Sequence, residues 1–306
     1  MTPKLTALLV SLLAISLLSS SHRLPNKRSG EPALQKAVDK ALGDRAGSIV
    51  VLDVKSDKIM ASSHLDLAAN RLVRPGSTLK PFVLMELLQS GKLDASQHLR
   101  CRRPLVIGGM RLDCAHTPAV TELDADDAIA YSCNSYVAEV ALRMDGNEMA
   151  QAFLRAGLDS MTGLVEGELT GKIEIVRDRA QLQLEALGQQ GIDVTLLELV
   201  EAYRKLALSR QAGEPQAVEP IFDGLEHSVT YGMAHAAYVE GMRVAGKTGT
   251  ATEPDDPRTH GIFVGYAPAD RAEIVMIAYL QTGHGLDAAG IARPIFAEYD
   301  HRSKKP

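Results

Sequence analysis

Nucleophilic, basic and amide side chains occur in three short motifs at well-separated points of the chain. The first motif places Ser77 three residues before Lys80, and Pro75 and Gly76 just ahead of them predict a helix start. This spacing puts Ser77 and Lys80 on one helical face. A serine hydroxyl is a weak nucleophile unless a base takes its proton, and a lysine with a lowered pKa can be that base. The alternative is a capped helix with a solvated lysine.

The second motif is Ser132 followed two residues later by Asn134, at the end of a helix predicted over 126–132. A hydroxyl and a carboxamide at this spacing can face one cleft from a loop. The hydroxyl of Ser132 can relay a proton, and the side chain of Asn134 can hydrogen-bond a substrate amide. The motif is short, so it predicts this chemistry only together with the other two.

The third motif is a Lys-Thr-Gly-Thr run on a predicted strand over 243–250. Lys247 supplies a fixed positive charge, and the hydroxyls of Thr248 and Thr250 can hold a carboxylate. Gly249 removes a side chain where the backbone of a ligand can lie beside the strand. The plain alternative is an edge strand with an exposed lysine.

The residues from Gly241 to Thr248 also match the letters of a phosphate-binding loop. Such a loop must open a helix, whereas Gly249, Pro254 and Pro257 follow here and disfavour one. We therefore favour the strand over a nucleotide site.

Composition excludes several classes of partner. The 306 residues carry a net charge of −5, 4% aromatic residues and no tryptophan, which argues against nucleic-acid binding. The three cysteines show no Cys-x-x-Cys spacing, and the histidines show no His-x-His cluster. We therefore expect no metal site.

The N-terminal segment predicts export. Lys4 precedes an uncharged, mainly apolar stretch from Leu5 to Ser21, which is typical of a signal peptide or an N-terminal membrane anchor over 1–21. A polar linker over 22–33 follows. Cleavage and anchoring remain equally good interpretations. In both cases we expect the rest of the chain to be exported, in the periplasm or on the extracytoplasmic face of the cell membrane.

The remaining residues predict strands near both ends of the chain and helices between them. We expect an α/β fold of the α+β type, with a largely antiparallel sheet from both chain ends, flanking helices and an inserted all-helical lobe. The domain spans 34–300, with a tail over 301–306. The predicted strands are 48–54, 59–62, 243–250, 261–266 and 273–280, and the clearest predicted helices are 34–42, 79–93, 126–132, 147–156, 195–208 and 288–299.

In this order and spacing, the three motifs resemble those of the penicillin-binding protein transpeptidase domain, within the penicillin-recognising serine transpeptidase and β-lactamase-like family. Three further segments support the resemblance: 49–54, the Gly-Gln-Gln-Gly run over 188–191, and 261–268. The family fold agrees with the one expected from the elements. No cofactor is implied. The implied substrate is a peptidoglycan stem peptide, the implied inhibitors are β-lactam antibiotics, and the implied partners are proteins of cell-wall synthesis.

The resemblance also implies a role for each motif residue. Ser77 would attack the carbonyl between the two terminal D-alanines, with Lys80 as base. Ser132 would pass a proton to the leaving D-Ala, with Lys247 keeping that relay polarised. The remaining assignments concern substrate binding and the oxyanion hole: Asn134 for the substrate amide, the hydroxyls of Thr248 and Thr250 for the terminal carboxylate, and the backbone N–H groups of Ser77 and Thr250 for the oxyanion. The acyl-enzyme would then pass to an amine or to water, as a transpeptidase or a DD-carboxypeptidase.

Two other functions share this fold. A serine β-lactamase needs a base for deacylating water, and Glu166 is the candidate by spacing. The same stretch fits better as the transpeptidase pattern from Glu168 to Gly171. A non-catalytic penicillin-binding sensor or scaffold is the other alternative, although complete motifs argue against it. Because the linker over 22–33 is too short for another domain, we expect a free-standing transpeptidase domain.

Two cysteines lie thirteen residues apart in a chain predicted to be exported. We expect a disulfide between Cys101 and Cys114, with two buried free thiols as an equally good interpretation. Cys133, inside the second motif, is expected to stay unpaired.

Overall fold

The computed structural model describes residues 31–213, 216–253 and 256–303. The helices are α1 (Pro32–Leu42), α2 (Leu65–Asn70), α3 (Lys80–Gln89), α4 (Ala125–Ala130), α5 (Asn134–Ala141), α6 (Gly146–Ala156), α7 (Arg179–Ala186), α8 (Leu196–Ala212), α9 (Glu219–Thr230) and α10 (Gly285–Ser303). The strands are β1 (Gly47–Asp53), β2 (Ile59–Ser63), β3 (Leu99–Arg100), β4 (Val106–Ile107), β5 (Met110–Arg111), β6 (Glu122–Leu123), β7 (Lys172–Ile173), β8 (Ile192–Asp193), β9 (Ala245–Glu253), β10 (Asp256–Ala267) and β11 (Ile274–Leu280). Short 3₁₀ turns occupy Gly76–Leu79, Gln216–Val218 and His235–Ala237.

Strands from both ends of the chain form one five-stranded antiparallel sheet in the order β2-β1-β11-β10-β9. Gly47 of β1 pairs with Leu280 of β11, so the chain ends meet at the centre of the sheet. All seven residues of β11 are buried, as expected for a central strand with both faces covered. The expected fold class is confirmed.

The two faces of the sheet pack against different helices because side chains alternate along each strand. Ile49 and Val51 of β1 pack into a core shared with α1 and α10. Val50 and Leu52 face the opposite side and belong to the larger core that contains α8 and the helical lobe. β9 is the edge strand, and its unpaired edge is turned toward the 3₁₀ turn that holds Ser77.

Several element boundaries differ from the prediction. The helix predicted over 79–93 is shorter, Lys80–Gln89, and follows the 3₁₀ turn Gly76–Leu79, whereas the closing helix is longer than 288–299. Helices α2, α5, α7 and α9 add to the clearest predicted set. The chain after Gly241 enters β9 and not a helix, so the phosphate-loop alternative is wrong.

The predicted signal or anchor over 1–21 lies outside the described residues, as does most of the predicted linker. Within the ranges that the structure describes, no helix is long and apolar enough to cross a membrane.

Candidate active site

A tight 3₁₀ turn presents Ser77 at the entrance of α3. Gly76 has a left-handed φ of 56°, and a Cβ there would lie 2.8 Å from the Thr250 carbonyl oxygen. Its backbone N–H donates to the Gly188 carbonyl oxygen at 3.0 Å. Glycine is therefore required at position 76, both for the conformation and for the close approach to β9. Ser77 is half-buried and faces the cleft beside β9.

Ser132 occupies a sharp turn between α4 and α5. Its φ of 53° is left-handed, which is uncommon for a residue other than glycine. The Ser132 N–H donates to the Ile129 carbonyl at 3.1 Å, and the Cys133 N–H donates to the Ala128 carbonyl at 2.9 Å. The predicted helix over 126–132 therefore ends early, at Ala130, and α5 begins again at Asn134.

The edge strand β9 carries the third motif. Lys247 is fully buried and pairs in register with Val264 of β10. At Gly249, a Cβ would lie 2.5 Å from the Pro75 carbonyl oxygen and 2.9 Å from a methyl of Thr78. Because Gly249 has no side chain, β9 packs directly against the segment that holds Ser77. The sequence predicted room for the backbone of a ligand at this position and did not predict this contact.

Both lysines donate hydrogen bonds to the Ser132 hydroxyl. Lys80 Nζ lies 3.2 Å from Ser132 Oγ, and Lys247 Nζ lies 2.7 Å from it. Lys80 Nζ also donates to the Ser132 carbonyl oxygen at 2.7 Å and to Asn134 Oδ1 at 2.6 Å. Ser132 Oγ therefore lies within hydrogen-bond distance of both amines, which come from the first and third motifs. The three motifs therefore meet at one hydroxyl.

Burial changes the acid–base chemistry of both lysines. It lowers the pKa of Lys80 to about 8, because the ammonium form loses hydration. The pKa of Lys247 is lowered well below its usual range, first by burial and then by repulsion from Lys80. The site therefore contains amines that release a proton far more readily than solvated lysines.

A cleft of about 490 Å³ runs along the open edge of β9. Its lining includes most of the predicted site residues, namely Ser77, Ser132, Asn134, Thr248 and Thr250. Lys80 and Lys247 lie buried behind Ser132. Residues that the sequence analysis did not assign to the site also line the cleft, in particular Met110, Arg111, Leu112, Asp113, Gln189, Met233 and His284.

Gln189 could have been found from the sequence, since it lies in the Gly-Gln-Gln-Gly run. Its Nε2 donates to the Thr250 carbonyl oxygen at 3.1 Å, while Gly188 accepts from the Gly76 N–H. This loop therefore fastens the Ser77 turn to β9. No pattern in the sequence indicated His284, which precedes α10.

The start of α10 packs against the two threonines of the third motif. The Gly285 N–H donates to Thr250 Oγ1 at 2.9 Å, and a Cβ at Gly285 would lie 2.7 Å from the Cβ of Thr248. Because Thr250 Oγ1 already accepts this hydrogen bond, its proton is available to a ligand in the cleft. The N-terminus of this long helix also favours a negative charge nearby.

Glu166, the base of the lactamase alternative, and Glu168, of the transpeptidase pattern, lie in different surroundings. Glu166 is exposed and is not among the described residues that line the cleft. Glu168 is buried and accepts hydrogen bonds from Thr162 Oγ1 at 2.7 Å and the Gly163 N–H at 2.6 Å. The position of Glu166 therefore offers no base for deacylating water, and Glu168 stabilises a local turn.

The disulfide predicted between Cys101 and Cys114 is wrong. Their Sγ atoms are 3.5 Å apart, against about 2.05 Å in a disulfide, and all three cysteines are free. Free thiols were the other interpretation of the sequence. Cys133 is unpaired as predicted, but its Sγ lies only 3.6 Å from that of Cys114.

Solved structures share the fold of this chain. The transpeptidase domain of penicillin-binding protein 3 from Burkholderia pseudomallei superposes with a TM-score of 0.79 at 20% identity, covering 91% of this chain and 96% of that one. The D,D-transpeptidase domain of a peptidoglycan glycosyltransferase from Eggerthella lenta gives 0.75 at 19% identity, covering 90% and 82%. The fold is therefore that of the transpeptidase class.

The family model of the penicillin-binding protein transpeptidase domain matches residues 47–299. The chain belongs to this family. It is 27% identical over 296 residues to the probable peptidoglycan D,D-transpeptidase PenA of Neisseria gonorrhoeae, covering 82% of this chain and 50% of that protein. It is 24% identical over 297 residues to the peptidoglycan D,D-transpeptidase FtsI of Escherichia coli, again covering 82% and 50%. The chain thus spans about half the length of these curated relatives.

Proposed function

We propose that this chain is a peptidoglycan D,D-transpeptidase domain that forms an acyl-enzyme on Ser77. The observation that carries the proposal is the convergence of Lys80 and Lys247 on Ser132 Oγ beside the cleft that Ser77 lines. This arrangement supplies a nucleophile, a base and a proton relay in one place. The names of the curated relatives support the same chemistry.

In the first step, Ser77 Oγ bonds to the carbonyl carbon between the terminal D-alanines as its proton passes to neutral Lys80. A pKa of about 8 leaves part of Lys80 unprotonated near neutral pH. The carbon–nitrogen bond then breaks, and Ser132 gives its proton to the leaving D-Ala nitrogen. Lys80 or Lys247 replaces that proton, since both contact Ser132 Oγ.

Substrate binding falls to the other motif residues. Asn134 would hold the stem-peptide amide with its Nδ2 group, which now donates to the Leu112 carbonyl oxygen at 3.0 Å. The hydroxyls of Thr248 and Thr250 would bind the terminal carboxylate near the start of α10, and Gly249 keeps the strand close to Ser77. Backbone N–H groups of Ser77 and Thr250 would form the oxyanion hole, worth about 3–4 kcal/mol per donor in other enzymes.

The acyl-enzyme is expected to be long-lived with penicillin. Asp113 lines the cleft, but it accepts hydrogen bonds from the Leu105 N–H at 2.7 Å and Arg111 Nε at 2.6 Å. These bonds lower the pKa of Asp113, so it is a poor base for activating water. An acceptor amine, or water at a lower rate, would release the natural acyl group.

We place this activity outside the cytoplasm, because the segment over 1–21 has the composition of a signal or anchor. The stem peptide of peptidoglycan would be the substrate and β-lactams the inhibitors. Membrane anchoring and association with other cell-wall synthesis proteins belong to the same proposal.

The test is to incubate the purified chain with a stem-pentapeptide analogue and an acceptor amine, and to identify products by mass. We expect release of D-Ala together with an adduct of donor and acceptor, or a trimmed tetrapeptide if hydrolysis dominates. Folded Ser77→Ala protein serves as the control and should give neither product. D-Ala release by the Ser77→Ala variant at the wild-type rate would overturn the proposal.

A further inference from the structure

Three cysteines and one histidine converge behind the second motif. The Sγ atoms of Cys101, Cys114 and Cys133 and a ring nitrogen of His116 all lie within 4.8 Å of one another. Cys114 Sγ is 3.5 Å from Cys101 Sγ and 3.6 Å from Cys133 Sγ. Two sulfurs bound at about 2.3 Å to one tetrahedral ion lie about 3.8 Å apart, so these spacings suit a metal site.

We propose that these four side chains bind Zn²⁺ and that the ion holds the Ser132 turn in position. Three thiolates and one imidazole are a common ligand set for tetrahedral zinc. Ions that prefer oxygen ligands, such as Mg²⁺ and Ca²⁺, do not suit it. Because four protein ligands fill the coordination sphere, the ion would have a structural role and would take no part in the acyl transfer.

Burial favours such a site. Cys133 is fully buried, Cys114 is 7% exposed and His116 is 4% exposed, whereas Cys101 is only half-buried. The three buried side chains are shielded from oxidants. The ion can enter beside Cys101, which is partly exposed to solvent. The Ser135 N–H, at 3.4 Å, donates to Cys114 Sγ, which is the type of second contact that stabilises a coordinating thiolate.

A positive side chain lies beside the cluster. Three thiolates around a divalent zinc ion leave one net negative charge. Arg103 Nη2 lies 2.9 Å from His116 Nδ1 and donates to the His116 carbonyl oxygen at 2.8 Å, so its guanidinium can balance that charge. His116 Nδ1 is also 3.1 Å from the Thr117 carbonyl oxygen, the kind of partner that orients a ligating imidazole.

The four ligands lie in loops and turns, outside the helices and strands. Cys101 follows the two-residue strand β3, Cys114 and His116 follow β5, and Cys133 lies in the turn between α4 and α5. Asp113 and Ala115, the neighbours of Cys114, line the cleft. An ion at this point would therefore cross-link one wall of the cleft to the turn that carries Ser132.

The sequence predicted no metal site because no two of these ligands have a spacing typical of zinc motifs. The fold brings together ligands separated by between 2 and 32 positions, and only their three-dimensional arrangement reveals the set. This proposal is independent of the acyl-transfer chemistry, since none of the four ligands is assigned to it.

The test uses the full chain purified with a reductant and loaded with Zn²⁺ or Co²⁺ alone. We expect stoichiometric zinc by elemental mass spectrometry. The Co²⁺ form should show the intense thiolate charge-transfer and visible d–d bands of a tetrahedral site. A chelator should remove the ion, lower the melting temperature and slow penicillin acylation, and added Zn²⁺ should restore all three.

Single variants sharpen the result. Cys101→Ser and His116→Gln should each weaken metal binding by about tenfold or more. His98→Gln is the matched control, because His98 is exposed, lies outside the cluster and contacts the carbonyl oxygen of Ser96 through its Nδ1. It should bind metal like the wild type. Circular dichroism on every variant identifies any that fails to fold, and the Co²⁺ spectrum of the wild type needs no variant.

Three outcomes would overturn the proposal. The first is a folded, reduced wild-type chain that penicillin labels but that takes up neither ion. The second is unchanged Co²⁺ binding in His116→Gln and Cys101→Ser. The third is a disulfide-linked peptide as the stable state of the purified chain, which would mean a redox pair in place of a metal site. In each case penicillin labelling reports separately on the proposed function.

Discussion

The two sides of the cleft are each held in place by a different kind of contact. On the side of Ser77, backbone meets backbone: Gly76 lies against Thr250, and Gly249 lies against Pro75. On the opposite side, the strands of the segment 99–123 are only two residues long, and side-chain bonds such as those of Asp113 and Asn134 add to their few backbone bonds. The turn that holds Ser77, the proposed nucleophile, is therefore positioned by a close backbone contact with the sheet. In our proposals, a proton relay at Ser132 depends on Lys80, on Lys247 and on the neighbouring cysteine cluster.

The largest expected effect comes from removing a lysine of the relay. Lys80→Ala should slow acylation by a fluorescent penicillin by about 10²–10⁴-fold, because it removes the proposed base and leaves Ser132 Oγ with Lys247 as its one lysine partner. Stopped-flow or gel labelling measures the rate. Lys55→Ala, on an exposed turn, is the control and should leave the rate unchanged. A rate near that of the wild type in Lys80→Ala would mean that another base operates.

The pH dependence tests the same side of the comparison. Burial lowers the pKa of Lys80 to about 8, and only the unprotonated amine can accept the Ser77 proton. The acylation rate should therefore rise about tenfold per pH unit below that value and level off above it. Measured rate constants from about pH 6 to pH 10 give the midpoint. A flat profile, or one that falls as pH increases, would contradict the role of Lys80.

The convergence of Lys80, Ser132 and Lys247 was predictable only because the three motifs together resemble those of a known family. The antiparallel sheet was predictable from β-branched runs near both chain ends. The structural role of Gly249 was not predictable, because the sequence does not show that Pro75 packs against it. The cysteine cluster was missed because its members are distant in the sequence and meet only through folding.

Substitution at Gly249 should break the backbone contact on the nucleophile side. Gly249→Ala should lower the free energy of unfolding by about 1–3 kcal/mol, since the new Cβ would lie 2.5 Å from the Pro75 carbonyl oxygen. Urea denaturation measures this change. Gly290→Ala is the matched control, because no atom lies within 4 Å of a Cβ there, and it should be neutral or stabilising by up to about 1 kcal/mol. Equal effects at the two glycines would contradict the close contact.

The smallest expected effect is at Glu166. Glu166→Ala should leave the lifetime of the penicillin adduct within about twofold of the wild type, because this exposed side chain does not line the cleft. Intact-protein mass spectrometry over time gives the lifetime. Glu168→Ala offers a contrast, since loss of its buried hydrogen bonds should destabilise the fold by about 1–3 kcal/mol. A much longer-lived adduct in Glu166→Ala would favour a β-lactamase.

The most direct test of the account is the fate of penicillin on the wild-type chain and on folded Ser77→Ala protein. We predict a stoichiometric adduct on the peptide that contains Ser77, lasting minutes or longer, and no adduct on the variant. Persistent covalent labelling of folded Ser77→Ala protein, or steady hydrolysis of nitrocefin by the wild type on the order of ten per second, would contradict it.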